Sequence, residues 1–272
     1  MTQRRYLVIG AHPDDSDLRF GGTAVALAKA GHVVKFVSLT NGSCGHGTMG
    51  GKALAERRYK EAQNSMKYNM VCEYEVWDID DCCLTPSLEN RERLIRTIRK
   101  FAPDVVVSHR LCDYHADHRN AAQLVLDAAY LVKVPMYVKD TPIPEVEPVF
   151  GYFFDEFTDP RPCRKDAAVA IDDVMEQKCR GLDCHVSQFY EWLPQDRLYS
   201  APDYATSTWP ERYKHLLERW SQIYVKCAND VRPVLREIYV SAGDSVKYAE
   251  AFEFSPYGRH VSIQEFRNLF LP

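Results

Sequence analysis

The chain has 272 residues, enough for one large α/β domain, and its 46% hydrophobic and 26% charged residues are ordinary for a globular enzyme. The formal net charge of -4 at pH 7 argues against binding to nucleic acid or to anionic membranes, which normally goes with a basic excess. No apolar run approaches the roughly 20 residues that cross a bilayer, and the apolar start is too short for a signal peptide. We therefore expect a cytoplasmic protein without a membrane span.

The nine cysteines are odd in number and show no C-x-x-C spacing. A disulfide framework favours an even set in a small secreted chain, so this pattern predicts reduced thiols in a cytoplasmic protein. A thiolate metal site is an alternative that the spacing does not favour, because no pair of cysteines has zinc-finger spacing.

The first 135 residues alternate between strand-like and helix-like segments. Apolar runs predict strands, and apolar residues at helical spacing predict the helices between them. The predicted strands are 6–10, 33–39, 74–77 and 105–107, and the predicted helices are 23–30, 53–68, 87–101 and 118–132. Alternation of this kind predicts an α/β sandwich of three layers, with a mostly parallel sheet between two layers of helices.

The alternation of strand-like and helix-like segments stops after Pro135, where several prolines predict a connecting loop. Further strands are predicted at 167–171 and 248–254, and further helices at 174–186 and 209–229. We expect residues 136–272 to pack onto the core of residues 1–135 as a C-terminal elaboration that completes the pocket. The whole chain, 1–272, is then one domain.

Polar residues follow three of the predicted strands. His12, Asp14 and Asp15 follow the first strand, Asn41 follows the second, and the segment 109–118 follows the Val-rich one. In parallel sheets the site lies beyond the carboxyl ends of the strands, so these clusters should meet at one edge. His109 and Asp113 are candidate substrate contacts there; for His109 a hydrogen-bonded role at the strand end is favoured.

Histidines and carboxylates in this pattern indicate a metal-dependent hydrolase. Two histidines and one carboxylate can be assembled as ligands, which leaves one acid and one histidine for proton transfer. Taken alone, the HPDD segment at 12–15 is also explained as a turn that caps the next helix, and the HADH segment at 115–118 as two exposed histidines. The glycine-rich segment 41–51 is either a lid over the site or a surface loop.

Several motifs resemble those of the LmbE/PIG-L family, over roughly residues 5 to 254. The motifs are AHPDD at 11–15, GGT at 21–23, TNG at 40–42, R-x-x-E at 58–61, HADH at 115–118, the K…HxSQ segment formed by Lys178 with 185–188, and YAEAF at 248–252. The resemblance implies a Rossmann-like fold with one divalent metal ion and removal of an acetyl group from molecules that contain N-acetylglucosamine.

The resemblance also implies roles for individual residues. His12, Asp15 and His118 match the metal ligands, and Asp14 matches the general base. His115 matches the histidine that stabilises the oxyanion and donates a proton to the leaving amine.

Asp117 matches the carboxylate that orients this histidine and raises its pKa. Arg58 matches a substrate-contacting arginine, and a guanidinium suits a substrate rich in hydroxyls or bearing a carboxylate. Asn41, Asp113 and His185 are the remaining candidate substrate contacts.

The expected enzyme is thus a zinc-dependent N-deacetylase acting on a small N-acetylated sugar or glycoconjugate. Fe²⁺ or Ni²⁺ are alternatives to Zn²⁺ for such ligands. The family also suggests a homo-oligomer. One alternative function is an amidase that removes a larger acyl group from an amino-sugar or thiol conjugate. Another is a sugar-binding protein without catalysis.

Overall fold

A seven-stranded mixed sheet forms the centre of the protein in the computed structural model, which describes residues 2–272. The strands in chain order are β1 Arg5–Gly10, β2 Val33–Ser38, β3 Glu73–Val76, β4 Val105–Ser108, β5 Val149–Phe153, β6 Ala167–Ala170 and β7 Ala249–Gly258. Their order in the sheet is β3-β2-β1-β4-β5-β7-β6. The first five strands pair in parallel, and β7 runs antiparallel to both β5 and β6. The predicted α/β class with a mostly parallel sheet is confirmed.

Helices cover both faces of the sheet. They are α1 Asp15–Lys29, α2 Gly51–Asn69, α3 Leu88–Phe101, α4 Ala116–Leu131, α5 Met175–Asp183, α6 Leu193–Asp196, α7 Trp209–Asp230, α8 Arg232–Tyr239 and α9 Ile263–Leu269. A π-helix, Ser187–Trp192, joins α5 to α6, and two short 3₁₀ helices span Asp172–Val174 and Val240–Asp244. No helix within residues 2–272 is long and apolar enough to cross a membrane.

The central strand shows why the sheet is buried on both faces. Tyr6 and Val8 of β1 pack into a cluster with α1, α5, α7 and α9, whereas Leu7 and Ile9 pack on the opposite side against α3 and α4. Successive side chains of a strand point to opposite faces, so a continuous apolar run such as 6–9 supplies two cores at once.

The turn from β1 into α1 is tight because of Gly10. A Cβ on this residue would lie 2.7 Å from the Cβ of Asp15, which is closer than real contacts allow. Glycine therefore lets α1 start directly above the end of β1. This start lies eight residues before the predicted one, since the polar residues of the first turn are buried by tertiary contacts and carry no apolar period.

The segment after residue 135 was only partly predicted. Strand β5 lies beside β4 and was not predicted as a strand, because its sequence VFGYF shows aromatic residues around a glycine. Helices α8 and α9 were also missed. Both are short, and α9 begins with a capping box in which Ser262 and Glu265 satisfy each other's backbone N–H groups.

Candidate metal centre and active site

Three loops meet beyond the carboxyl ends of the parallel strands. The loop after β1 carries His12 and Asp14, the loop after β3 carries Asp81, and the loop after β4 leads to His115 and His118. Their side chains line one cleft of about 170 Å³. The expected meeting of polar clusters at this edge is what the structure shows.

Asp15 is the first residue of α1, and the backbone fixes its carboxylate. Its Oδ2 accepts the N–H groups of Ala11 at 2.9 Å and His12 at 2.8 Å. Burial opposes the charge, but His118 and His109 nearby hold the pKa of Asp15 well below its usual range. The carboxylate of Asp15 is therefore ionised and held in a fixed orientation by the protein alone.

Two ring nitrogens and the carboxylate of Asp15 come together at this point. His12 Nδ1 lies 3.2 Å from His118 Nε2 and 3.5 Å from Asp15 Oδ2, and His118 Nε2 lies 3.5 Å from Asp15 Oδ1. Ligands arranged tetrahedrally at about 2.0–2.1 Å from one zinc ion lie about 3.3–3.4 Å apart. The spacing and the chemistry of this donor set fit one divalent metal ion. Other combinations, such as His12 with His115 and His118, also bring ligand atoms within 4.8 Å of one another.

The second ring nitrogen of each histidine faces a carboxylate. His12 Nε2 lies 3.0 Å from Asp81 Oδ1 and 3.3 Å from Asp117 Oδ2, and His118 Nδ1 lies 3.0 Å from Asp113 Oδ1. Burial disfavours a charged His12, but hydrogen bonds to the neighbouring carboxylates, with Asp117 first, raise its pKa well above the ordinary value. Carboxylates in these positions fix ring orientation and tautomer in metal-binding histidines.

The contacts of Asp117 differ from the prediction. Its carboxylate does not contact the His115 ring; it accepts the N–H groups of Cys82 at 2.7 Å and Leu84 at 3.3 Å and faces His12. His115 caps α4, and its Nδ1 accepts the backbone N–H of Asp117 at 3.1 Å. Burial and the neighbouring His12 lower the pKa of His115, opposite to the predicted direction.

Two predicted substrate contacts are occupied by protein groups. The Asp113 side chain is only 8% exposed, with its Oδ1 against His118 and the backbone N–H of His115. Asn41 donates to the carboxylates of Asp78 and Asp80 and accepts the N–H of Ser43, so it organises the loop after β3. Neither side chain lines the cleft.

His185 is also placed differently from the prediction. Its side chain is fully buried, and its Nε2 lies 3.1 Å from Asp17 Oδ1. Burial disfavours the charged ring, but Asp17 raises the pKa of His185. Asn69 and Tyr74 complete this network through hydrogen bonds to the same carboxylate. The network contacts the first turn of α1 through Asp17, and His185 does not line the cleft.

Asp14 and Arg58 lie side by side in the cleft. An Arg58 Nη2–H donates to Asp14 Oδ1 at 3.1 Å, and the guanidinium is 3% exposed. Burial raises the pKa of Asp14 above its ordinary value, although Arg58 opposes the shift. The carboxylate of Asp14 is not part of the close donor set of His12, Asp15 and His118, which leaves it free to exchange protons.

His109 lies behind the centre. Its ring stacks on that of His118 at 4.1 Å, and its Nε2 accepts the N–H of Ala11. Burial and the neighbouring His118 lower the pKa of His109 to about 4, so the ring is neutral at pH 7. Its side chain is buried and does not line the cleft, which agrees with the favoured hydrogen-bonded role.

The loop between β2 and α2 is tied to the π-helix. His46 Nε2 lies 2.8 Å from a Glu191 carboxylate oxygen, and Gln188 donates to the carbonyl of Gly45 at 2.9 Å. These contacts place Gly45 at the rim of the cleft.

Several residues of the cleft were not identified from sequence. They are Arg19, Asp81, Tyr114, Gln188, Leu193, Arg197 and Trp220. Asp81 follows the predicted strand 74–77. It could have been identified from its position beyond the carboxyl end of a parallel strand, as the other site residues were. The others come from helices and loops whose packing the sequence pattern does not encode.

The fold and this centre define an α/β enzyme whose His/Asp donor set fits a divalent metal ion. The family model described as PIG-L, GlcNAc-PI de-N-acetylase, matches residues 7–129. A diacetylchitobiose deacetylase from Thermococcus kodakarensis is 30% identical over 197 residues, which cover 69% of this chain and 71% of the relative. The chain belongs to the PIG-L family.

Two further comparisons delimit this result. A 4-oxalmesaconate hydratase from Pseudomonas putida is 27% identical over 200 residues, which cover 70% of this chain and 76% of the relative. The structure of an N,N'-diacetylchitobiose deacetylase from Pyrococcus horikoshii superposes with a TM-score of 0.68 at 23% identity, covering 93% of this chain and 84% of that chain. The predicted family, its N-deacetylase class and its Rossmann-like fold are confirmed, and the family includes a hydratase.

Proposed function

We propose that the protein is a zinc-dependent N-deacetylase that hydrolyses the acetamide of a small N-acetylglucosamine-type sugar or conjugate. The observation that carries this proposal is the mutual spacing of 3.2 to 3.5 Å among His12, Asp15 and His118, with the carboxylate of Asp14 beside them. A ligand set of two histidines and one carboxylate with an open position is typical of catalytic zinc. Ferrous iron and nickel bind the same donors and are alternatives.

The protein residues divide the proton chemistry between them. When bound, the ion acidifies water and polarises the acetyl carbonyl. Asp14 takes the proton from the attacking water, and its raised pKa brings it closer to the pH at which a general base is most effective. Arg58 holds the carboxylate in place through its hydrogen bond.

His115 completes the reaction on the other side of the cleft. Its Nδ1 is occupied by the backbone N–H of Asp117, so Nε2 is the nitrogen left for the substrate. We propose that Nε2–H stabilises the carbonyl oxygen as the water oxygen bonds to the carbonyl carbon. The C–N bond then breaks, the amine nitrogen receives the proton that Asp14 took from the water, and acetate and the protonated amine leave.

The cleft has a volume of about 170 Å³, enough for an acetamide group beside the proposed metal ligands. Trp192 and Trp220 line the same cleft, and aromatic faces of this kind suit the apolar side of a sugar ring.

A second candidate function is hydration of an unsaturated carboxylate. Three guanidinium groups, those of Arg19, Arg58 and Arg197, line the cleft, and such groups bind carboxylates. The 4-oxalmesaconate hydratase among the relatives supports this second candidate. The same base and metal ligands would then add water to a C=C bond.

Both candidates are separated by parallel assays on one metal-loaded sample. Acetate release is measured over N-acetylated sugars and their conjugates, and hydration is measured as the loss of ultraviolet absorbance of unsaturated dicarboxylates. We expect acetate from an N-acetylated sugar, abolished in metal-stripped protein and restored by added zinc. Hydration without acetate release would replace the proposal with the second candidate.

A cytoplasmic location is part of the same proposal. All nine cysteines lie within residues 2–272 and are unpaired there, which suits a reducing compartment.

A further inference from the structure

A second group of ligand-type side chains lies beside the proposed metal centre. Asp81, Cys82 and His115 place a carboxylate oxygen, a thiol sulfur and an imidazole nitrogen within 4.8 Å of one another. None of the three belongs to the His12, Asp15 and His118 set. Asp81 and His115 line the cleft, and Cys82 is exposed, so the group is reachable from solvent.

The backbone holds these side chains in place. The N–H of Cys82 donates to Asp117 Oδ2 at 2.7 Å, and the N–H of Asp81 donates to Ser43 Oγ at 3.2 Å. Cys82 has a φ of +67°, in the left-handed region that side chains other than glycine seldom adopt. This conformation leaves its Sγ 3.5 Å from Asp81 Oδ1.

We infer that Asp81, Cys82 and His115 form a second, inhibitory site for zinc or another thiophilic divalent ion. Thiolate, imidazole and carboxylate are the ligands that zinc prefers, whereas magnesium and calcium select oxygen. Binding releases the thiol proton of Cys82 to solvent, and the ring proton of His115 moves from Nε2 to Nδ1, which then no longer accepts the backbone N–H of Asp117. His12 keeps Asp117 on its Nε2 when Asp81 turns to the second ion.

The inhibitory consequence rests on the proposed function, whereas the site itself does not. An ion here occupies Nε2 of His115, the nitrogen whose N–H is proposed to stabilise the carbonyl oxygen. Excess zinc therefore stops amide cleavage while the first ion stays in place.

The site is tested by titrating metal-free protein with Co²⁺, which reports thiolate ligation through a ligand-to-metal absorption band in the near ultraviolet. We expect a first equivalent without the thiolate band and a second, weaker equivalent with it. Cys82→Ser keeps the first equivalent, which shows that it is folded, and loses the second together with the band. Cys83→Ser, an exposed neighbouring cysteine, is the matched control and behaves like the unaltered protein.

Activity provides a separate readout. Each protein is compared with itself at one equivalent and at excess zinc, and we expect Cys82→Ser to be at least about tenfold less sensitive to excess than Cys83→Ser. Absence of acetate release from all proteins counts against the proposed function and leaves the cobalt result to decide the site. A single equivalent in the unaltered protein, or a second one that survives in Cys82→Ser, overturns the inference.

Discussion

Each ring nitrogen of His12 has a different neighbour, and this division organises the centre. Nδ1 faces Asp15 and His118, whereas Nε2 faces two carboxylates, those of Asp81 and Asp117. Asp117 is fully buried and also accepts two backbone N–H groups, so it cannot turn away from His12 without losing them. Asp117 therefore positions the ring of His12, a proposed metal ligand.

We predict that Asp117→Ala lowers metal affinity by about 10- to 100-fold, as loss of a carboxylate behind a ligand histidine generally does. The measurement is the dissociation constant for Zn²⁺ by competition with a chelator. Asp173→Ala, at an exposed position on the 3₁₀ helix before α5, should bind zinc as the unaltered protein does. Unchanged affinity in Asp117→Ala, with the thermal stability of the metal-free protein also unchanged, rules out the positioning role.

The ligand-type residues could be predicted from the sequence, but their hydrogen bonds could not. His12, Asp15 and His118 follow buried strands of a parallel sheet, and topology alone brings such residues to one edge. Which carboxylate faces which imidazole depends on contacts between loops far apart in sequence, such as the one from Cys82 to Asp117.

At the scale of elements, helix α1 depends on a buried polar network rather than on apolar packing alone. Asp17 in its first turn meets His185 from the segment after α5, together with Asn69 and Tyr74. The motif resemblance suggested His185 as a substrate contact, because a histidine far along the chain gives no indication of its burial. The π-helix that follows it carries Trp192 into the cleft, and such helices are frequent at functional sites.

We predict that His185→Ala lowers the free energy of unfolding by about 3 kcal/mol, since removing one partner leaves Asp17 buried without its counter-charge. The KM for the N-acetylated substrate should stay unchanged. Urea unfolding and steady-state kinetics measure the two quantities, with His260→Ala as an exposed control. A raised KM with unaltered stability would restore the predicted substrate contact.

At the scale of the whole molecule, the two halves of the chain share one sheet. Strand β5 pairs with β4 of the N-terminal half, and β7 inserts between β5 and β6. We propose on this basis that residues 1–272 form one domain. The strands of the first half were predictable because each contains a run of apolar residues that packs on both faces of the sheet. Strand β5 has no such run, and it forms a strand because it pairs with β4.

Glu253 connects β7 to the segment 161–164 that precedes β6. Its fully buried carboxylate pairs with Arg161 and accepts the N–H of Arg164 at 2.7 Å. Burial disfavours the charge, but these partners outweigh burial and hold the pKa of Glu253 below its ordinary 4.5. The unfolded chain therefore binds a proton more readily than the folded chain, and acid destabilises the fold.

We predict that Glu253→Gln is less stable than the unaltered protein at neutral pH and that the difference shrinks on acidification. The contribution is present above the unfolded pKa of 4.5 and is lost as the pH falls through the lowered folded pKa. Urea unfolding at a series of pH values measures it. A stability difference that is constant from neutral to acid pH contradicts the assignment.

The two neighbouring carboxylates that follow β1 have different proposed tasks: Asp15 binds the metal, and Asp14 takes the proton from water. Acetate release by metal-loaded Asp14→Asn protein, with metal content determined on the same sample, tests this division most directly. We expect one retained equivalent of metal and a rate lower by about 10²- to 10⁴-fold, the usual contribution of a general base. Unchanged acetate release with the metal in place would contradict it.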